Sequence, residues 1–426
     1  MNKYRDIVGR INYVLFLVAV ATLPLPQVFI RYALVIWLVA WILELRFLDK
    51  SQILNHKSQI KQSLPLCLFA LWYAWRGLSG LWSPDHRAWS FMMERYMTFG
   101  LLVPVALWGV NDYYNWKTAG KVLAISCAAS VLFYIACITM FVLRPDWVQY
   151  FHYGDWSFKY HSWIQCFVEN GSFIKHRLFW CSTQLLGVIA AFQVWRNKPQ
   201  IYIPLSLVML SAIPLTGSRQ TILTLAAVIV IALIYILPKK HRAAYGIGII
   251  LLGVLLSGTL LALHPRMHDL DFRLIHSAED FSDNREVRLN IWGFALSNPE
   301  DYFWSGLGGG QSVNYLVAKY KAAEAYYYAN MRFHAHNQYL EELMELGIFG
   351  MLFFITIWLS IVFCAKGEGR KTAVLFTAIF MLNMLTDCMW GKFDGIALWA
   401  IGMLYIFLQS DTHHLVDNRI DSQTGC

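Results

Sequence analysis

Long apolar runs separated by short polar stretches dominate this sequence. Several of the runs reach about 18 to 20 residues, the length that an α-helix needs to cross a bilayer. The weak alternation over segments of about ten residues that marks a membrane barrel is absent from the sequence. The pattern therefore predicts an all-α, polytopic membrane protein with about twelve transmembrane helices. The predicted spans lie near 8–24, 28–47, 63–82, 95–111, 120–143, 178–195, 200–216, 220–237, 244–263, 343–364, 371–389 and 393–409.

Basic residues between the spans predict the orientation. Lys and Arg concentrate in short cytoplasmic loops, and a cytoplasmic N-terminus places every strongly basic short loop on the inside. Two longer polar segments, 144–177 and 264–342, then lie on the outer face. We expect a single transmembrane domain over 1–426, with a loop subdomain over 264–342 between spans nine and ten, because loops this long are usually functional or structured.

Composition agrees with a membrane protein. Hydrophobic residues make up 57% of the chain and charged residues only 15%, whereas a soluble domain is about one quarter charged. The net charge of +8 is scattered between the spans, which favours membrane anchoring and an anionic lipid-linked ligand over nucleic acid. The 8 cysteines show no metal-like spacing. Cys166 and Cys181 flank a polar loop, and the sequence leaves open whether they pair.

The most informative stretch is HAHNQYLEELMELGIFG at 334–350, where a polar segment re-enters an apolar one. Asn337 is a candidate helix N-cap, and Glu341 and Glu342 fall in the first turn, where acids suit the helix dipole. Two histidines therefore lie at a helix start on a membrane surface. Imidazole takes a proton near neutral pH, so this stretch predicts either a catalytic base or only a capped helix.

Arginines on the outer face are the second candidate feature. Arg219 in TGSRQ follows a span, and a helix starting there would aim backbone N–H groups and a guanidinium at one anion. Arg285 and Arg288 lie in the large outer segment, where Arg288 and Trp292 would share a helix face. We expect phosphate contact from the arginine and membrane or sugar contact from the indole. The alternatives are interfacial snorkelling and an ordinary solvated basic face.

Three further arginines, Arg31, Arg76 and Arg95, fall in or beside spans. Intramembrane charges are functional candidates by default, although pairing of some of these with Glu94 or Asp85 would also explain them.

Other polar residues complete the outer face. His176 and Arg177 precede the sixth span and would add charge to the same outer cavity. Asp387, Lys392 and Asp394 flank the last outer turn, and an internal Lys–Asp pair is the simple explanation for them. The glycine-rich GLGGGQS at 306–312 does not match a Walker loop, so it predicts a close approach of the backbone to a ligand or to another helix.

Taken together, the chain resembles the O-antigen ligase family, which includes O-antigen ligases, bacterial O-oligosaccharyltransferases and the related O-antigen polymerases. The resemblance extends over nearly the whole chain. It rests on LWSPD (81–85), TGSRQ (216–220), RLNIW (288–292) and HAHNQYLEELMELGIFG (334–350). It implies a glycosyltransferase of the GT-C type in the bacterial inner membrane. Such an enzyme moves a glycan from an undecaprenyl diphosphate carrier to an acceptor at the periplasmic face, without a metal or another cofactor.

The resemblance also implies roles for particular residues. Arg219 and Arg288 match the arginines assigned to the donor diphosphate, and His336 matches the histidine that activates the acceptor. We count all three as candidate catalytic residues. The remaining candidate substrate-binding residues are His334, Asn337, Arg285 and His176.

Two alternatives to a ligase remain open. Ligases use lipid A–core as the acceptor and polymerases use another lipid-linked repeat; the clear HxHN stretch favours a ligase. A lipid-linked oligosaccharide transporter would also fit about twelve spans. Transporters usually show repeat symmetry and midplane charges, whereas the notable charges of this chain collect at one face and in one large loop.

Overall fold

A computed structural model of the chain describes residues 2–45, 64–108, 113–142, 176–216, 218–236 and 286–423, with shorter pieces between 246 and 276. Every regular element among these residues is helical, which confirms the all-α prediction. The α-helices are α1 (Asn2–Thr22), α2 (Gln27–Leu45), α3 (Leu64–Leu78), α4 (His86–Trp108), α5 (Trp116–Val142), α6 (Arg177–Val194), α7 (Pro199–Leu210), α8 (Ala212–Thr216), α9 (Arg219–Ile236), α10 (Val287–Ala295), α11 (Ser312–Ala322), α12 (Tyr326–Met331), α13 (Gln338–Cys364), α14 (Gly367–Asn383) and α15 (Phe393–Gln423). Two short 3₁₀ helices are Ser79–Leu81 and Pro299–Asp301.

Six segments in the described part of the chain are helical, long and apolar enough to cross a membrane, and each coincides with a predicted span. Other predicted spans fall on α1, α3, α4, α9 and α14. The predicted span near 244–263 lies largely outside the described residues. The total of about twelve transmembrane spans and the GT-C architecture therefore stay predictions. The six segments are Gln27–Glu44, Trp116–Cys137, Arg177–Val194, Pro199–Thr216, Gln338–Cys364 and Phe393–Ser410.

Buried tryptophans form the centre of the main hydrophobic core. Trp390, in the turn between α14 and α15, stacks on Trp358 with ring centroids 5.7 Å apart. It also meets Trp72 edge-on at 5.1 Å and Trp399 at 5.8 Å. Because aromatic rings bury a large apolar area in a fixed geometry, this cluster holds the turn between α14 and α15 against α3 and α13.

The glycine-rich loop 306–312 forms hydrogen bonds with α13 where that helix is interrupted. Gly347 has φ 67° and ψ −169°, which interrupts the helix. The carbonyl groups of Met344 and Glu345 accept hydrogen bonds from the backbone N–H groups of Leu307 and Gly308 at 2.8 and 3.0 Å. A backbone group freed at a helix break needs a new partner when it is buried. The glycine-rich loop thus approaches another helix, as one of the two sequence alternatives had it.

The fully buried Arg76 joins α3 to α13. Its guanidinium donates to Glu342 Oε2 at 2.9 Å and to Glu345 Oε2. The suggestion that such arginines pair with Glu94 or Asp85 is wrong for Arg76, because α3 packs along α13 and the side chain faces that helix. The described residues therefore include a buried ion cluster that sequence spacing did not indicate.

The start of α13 is fixed to the turn that follows α14. Gln338 donates from its backbone N–H to Met384 O at 2.9 Å and accepts from the backbone N–H of Trp390 at 2.9 Å. Its side-chain amide also donates to Glu342 at 2.9 Å. The residues just before α13 and those between α14 and α15 consequently form one region of the structure.

Helices α10 to α12 and the loops around them share a second hydrophobic cluster. Tyr302, Tyr320 and Tyr328 are among its buried members, and Met344 of α13 joins it to the rest of the fold. The assignment of 264–342 to a separate periplasmic subdomain stays a prediction.

Candidate functional site

Asn337 caps α13, as the sequence predicts. Its backbone is extended (φ −157°, ψ 113°), and its Oδ1 accepts from the N–H groups of Tyr339 at 3.0 Å and Leu340 at 3.2 Å. These bonds satisfy two of the donors that every helix start leaves open. A substrate contact by the Asn337 side chain stays a prediction.

The two histidines of the HAHN stretch lie face to face. Their ring centroids are 4.0 Å apart with an interplanar angle of 28°. His336 has a left-handed backbone with φ 47°, and its N–H donates to Nδ1 of His334 at 3.1 Å. Between them, the carbonyl of Ala335 accepts from the indole of Trp292 at 3.0 Å. The Trp292 N–H thus binds this turn, whereas the sequence led us to expect contact of the indole with the membrane or a sugar.

Asp387 adds a carboxylate to the histidine pair. His334, His336 and Asp387 each offer a nitrogen or oxygen atom within 4.8 Å of those of the other two. Asp387 also accepts from Lys392 Nζ, at 3.4 Å to Oδ1 and 3.3 Å to Oδ2. The Lys–Asp pair expected for this turn is present, and Asp387 is the aspartate that pairs with Lys392. Its position beside the histidines was missed because it depends on the packing of α13 against α14.

The same surroundings fix the charge states of these groups. Burial alone would raise the pKa of Asp387, yet Lys392 and the neighbouring histidines hold it well below the usual range. Burial lowers the pKa of His334 to about 4 and that of His336 to about 2, and nearby cations act in the same direction. Near neutral pH, Asp387 is therefore a carboxylate, and both imidazoles are neutral and able to accept a proton.

Arg219 and Arg288, which come from different segments, meet at one carboxylate. Arg219 Nη2 lies 3.2 Å from Glu286 Oε2, and Arg288 Nη1 lies 3.4 Å from Glu286 Oε1. Arg288 Nε also donates to the carbonyl of Thr386 at 3.1 Å. Since Thr386 precedes Asp387, this hydrogen bond brings the arginine pair next to the histidine pair. Glu286 was not among the residues expected from the sequence, although its place between Arg285 and Arg288 in the chain was a usable signal.

Local sequence explains how the two arginines are presented. Arg219 is the first residue of α9, as predicted for a helix starting near Ser218, and Ser218 Oγ bonds Thr221 Oγ1 at 2.7 Å. Arg288 and Trp292 are both on α10, one turn apart, as predicted. One face of α10 thus places the Arg288 guanidinium at Glu286 and the Trp292 indole at the histidine turn.

Arg95 and His176 also lie near this site. Arg95 donates from Nη1 to the carbonyl of Gly391 at 2.7 Å, next to Lys392. Lys392 lies over the ring of Phe179, 5.6 Å from its centroid, and His176 packs on the same ring at 5.5 Å. His176 therefore lies in this region, but burial lowers its pKa to about 3, so the ring does not add the charge expected from the sequence near neutral pH. A substrate contact by His176 stays a prediction. Arg285 lies outside the described residues.

Existing contacts of the histidine and aspartate side chains would compete with a metal cation. His334, His336 and Asp387 are near enough to ligate a metal together. However, Nδ1 of His334 already accepts a hydrogen bond, and Asp387 already binds an ammonium group. A divalent cation would also face the charges of Lys392 and Arg288. Metal independence stays a prediction, and these contacts support it.

Cys181 lies in the first turns of α6. Its thiol is free and buried, and Sγ lies 3.2 Å from Thr216 Oγ1. Cys166 is outside the described residues.

The helices and the site together define an all-helical membrane protein with a basic, histidine-containing site beside the start of α13. A family model described as O-antigen ligase matches residues 204–355, which include Arg219, Arg288, His334 and His336. Over these residues the chain is similar to the O-antigen ligase family, which confirms the resemblance noted in the sequence. Its members are glycosyltransferase-like enzymes of the ligase and polymerase type that act on lipid-linked glycans. Among curated proteins, none matches the chain.

Proposed function

We propose that this chain is an O-antigen ligase. In this proposal it transfers a polysaccharide from undecaprenyl diphosphate to lipid A–core at the periplasmic face of the inner membrane. The observation that carries the proposal is the convergence of Arg219 and Arg288 on Glu286, beside His334 and His336. A site for diphosphate departure and a base for acceptor attack are both needed, and this arrangement offers the two together.

The arginine pair suits the donor. Cleavage of the bond between the sugar and the diphosphate places negative charge on the departing phosphate oxygen. Two guanidinium groups fixed at that oxygen stabilise the transition state more than the ground state. Glu286 holds Arg219 and Arg288 close together in the absence of donor, and a diphosphate would take over these charge-assisted hydrogen bonds.

The histidine turn suits the acceptor. Neutral His336 would take the proton of the acceptor hydroxyl while that oxygen attacks the anomeric carbon, a role that contributes about 10²–10⁴ in rate. The Asp387 carboxylate would stabilise the imidazolium that forms. The new bond joins the acceptor oxygen to the anomeric carbon as the diphosphate leaves with its electron pair. A single displacement inverts the anomeric centre.

Donor binding would also strengthen the base. The pKa of His336 is lowered by burial and, among other groups, by the positive charges of Arg288 and Lys392. A diphosphate beside Arg288 would offset that charge and raise the pKa of His336. The acceptor hydroxyl would therefore be activated most effectively when the donor is in place.

Complementation of a ligase-deficient Gram-negative strain tests the proposal. The readout is the polysaccharide ladder on extracted lipopolysaccharide, together with the undecaprenyl-linked pool. Wild type should restore long chains on lipid A–core, and His336→Ala should leave them on the carrier. His86→Ala is the matched control, because His86 is exposed at the start of α4.

Other outcomes would point to the alternatives. Chains that are already attached to lipid A–core and change only in length would indicate a polymerase. Movement of the lipid-linked glycan across the membrane without transfer would indicate a transporter. Either result contradicts the ligase proposal.

A further inference from the structure

The hydrogen bond inside the HAHN turn has the form of an Asx-turn. In an Asx-turn, the side-chain oxygen of Asn or Asp accepts from the backbone N–H two residues further on. Here Nδ1 of His334 accepts from the N–H of His336 at 3.1 Å. Since Nδ1 of histidine occupies nearly the same place as Oδ1 of asparagine, His334 accepts the hydrogen bond that an asparagine would accept in this turn.

The acceptor role fixes the tautomer of His334. A nitrogen that accepts a hydrogen bond carries no proton, so the neutral ring carries its proton on Nε2. Asp387 and Glu341 each have a carboxylate oxygen within 4.8 Å of a ring nitrogen of His334.

The turn is needed because of the conformation of His336. Its φ of 47° lies in the left-handed region, which a non-glycine residue keeps only when its surroundings impose it. The bond from the His336 N–H to His334 acts directly on this residue. Neighbouring contacts support it on both sides, through the Trp292 bond to Ala335 and the Asn337 cap.

Proton transfer between the two rings is not favoured by their geometry. The rings stack with centroids 4.0 Å apart and an interplanar angle of 28°. A hydrogen bond between two imidazoles places the N–H of one in line with a nitrogen of the other, in an edge-on arrangement. Stacked rings do not provide this alignment.

We propose that His334 is a positioning residue whose Nδ1 fixes the left-handed turn that presents His336 to the acceptor hydroxyl, and that His334 neither contacts the glycan nor receives the proton. This inference rests on the proposed function and replaces the substrate-binding role expected for His334 from the sequence.

Three substitutions at one position separate the possibilities. In His334→Asn, Oδ1 can replace Nδ1, whereas the amide of His334→Gln reaches the place of Nε2 instead; His334→Ala keeps neither. The assay is glycan transfer by the full-length protein in liposomes, with an undecaprenyl diphosphate-linked glycan and lipid A–core.

We expect kcat of His334→Asn to stay within about threefold of wild type. We expect His334→Gln and His334→Ala to lose about 10²-fold, near the lower limit for removal of a general base. The KM for the donor should change little in all three, because the arginine pair is untouched. The inference would be overturned if His334→Gln kept its kcat while His334→Asn lost it. It would also be overturned if all three variants lost kcat equally or all three kept it.

A spectroscopic measurement tests the turn independently of activity. Solid-state NMR of the full chain in liposomes, labelled with ¹⁵N-histidine, reports which ring nitrogen carries the proton. The His334 signals are assigned by their loss in His334→Asn. An unprotonated Nδ1 coupled to the His336 amide supports the inference, and a protonated Nδ1 overturns it. If wild type shows this bond but transfers no glycan, the proposed function fails while the turn stands.

Discussion

Replacing Arg76 with methionine removes the cation from a cluster of buried carboxylates. The Arg76 side chain is 0% exposed and bonds both Glu342 and Glu345, which are 0% and 1% exposed. Its guanidinium also lies over the rings of Trp72 and Tyr96, 4.9 and 4.6 Å from their centroids. Removing one partner of a buried ion pair leaves an uncompensated charge and typically costs about 3–5 kcal/mol.

We therefore expect Arg76→Met to lower the free energy of unfolding by about 3–5 kcal/mol. The assay is SDS titration of the purified protein in mixed micelles. Arg76→Met with Glu342→Gln and Glu345→Gln is the matched control, and it should recover most of the loss because no buried carboxylate is left unpaired. The reasoning would be refuted if the free energy of unfolding of Arg76→Met lay within about 1 kcal/mol of wild type, which is the level of an exposed pair. It would also be refuted if the triple variant were no more stable than Arg76→Met.

The prediction has a functional consequence. Glu342 also accepts from Gln338, the first residue of α13, at 2.9 Å. Gln338 in turn binds the turn that carries Asp387 and Trp390. Loss of Arg76 should therefore disturb the relation of the histidine turn to Asp387 as well as the stability.

Three further predictions concern the site. Arg219→Lys and Arg288→Lys should each lower the transfer rate about 10²–10³-fold, because an ammonium group cannot replace a planar, bidentate guanidinium; full activity of a lysine variant would show that its arginine is a bystander. A chelator should leave the rate unchanged, and an activity loss restored by magnesium would contradict the metal-free mechanism. Because the pKa values of His334 and His336 are lowered in the folded protein, to about 4 and about 2, the unfolded chain binds more protons below about pH 6.5, and stability should fall as pH drops from there toward 4. The free energy of unfolding measured between pH 7.5 and 4.5 checks this, and an equal slope in His334→Asn/His336→Asn would contradict it.

Features that depend on local chemistry could be predicted from the sequence. The Asn337 cap follows from a side chain that is short enough to reach the next N–H groups. The start of α9 near Ser218 and the shared face of Arg288 and Trp292 follow from turn chemistry and helical spacing. A Lys–Asp pair involving Lys392 could also be predicted, because these residues lie in one short turn.

Features that depend on which helices pack together could not be predicted. Arg76 bonds two glutamates on a helix far away in the sequence, and no spacing rule connects them. The same holds for Glu286 as the common partner of two arginines. The interruption of α13 at Gly347 was missed too, since the apolar run continues through it and only the docked glycine-rich loop makes the break stable.

Product analysis of the purified protein tests the central claim most directly. The full chain is reconstituted in liposomes with an undecaprenyl diphosphate-linked glycan of known anomeric configuration and with lipid A–core. The account predicts glycan attached to lipid A–core with the opposite configuration at the anomeric carbon, and no such product from His336→Ala. A product of retained configuration, or an unchanged yield from His336→Ala, would contradict the account.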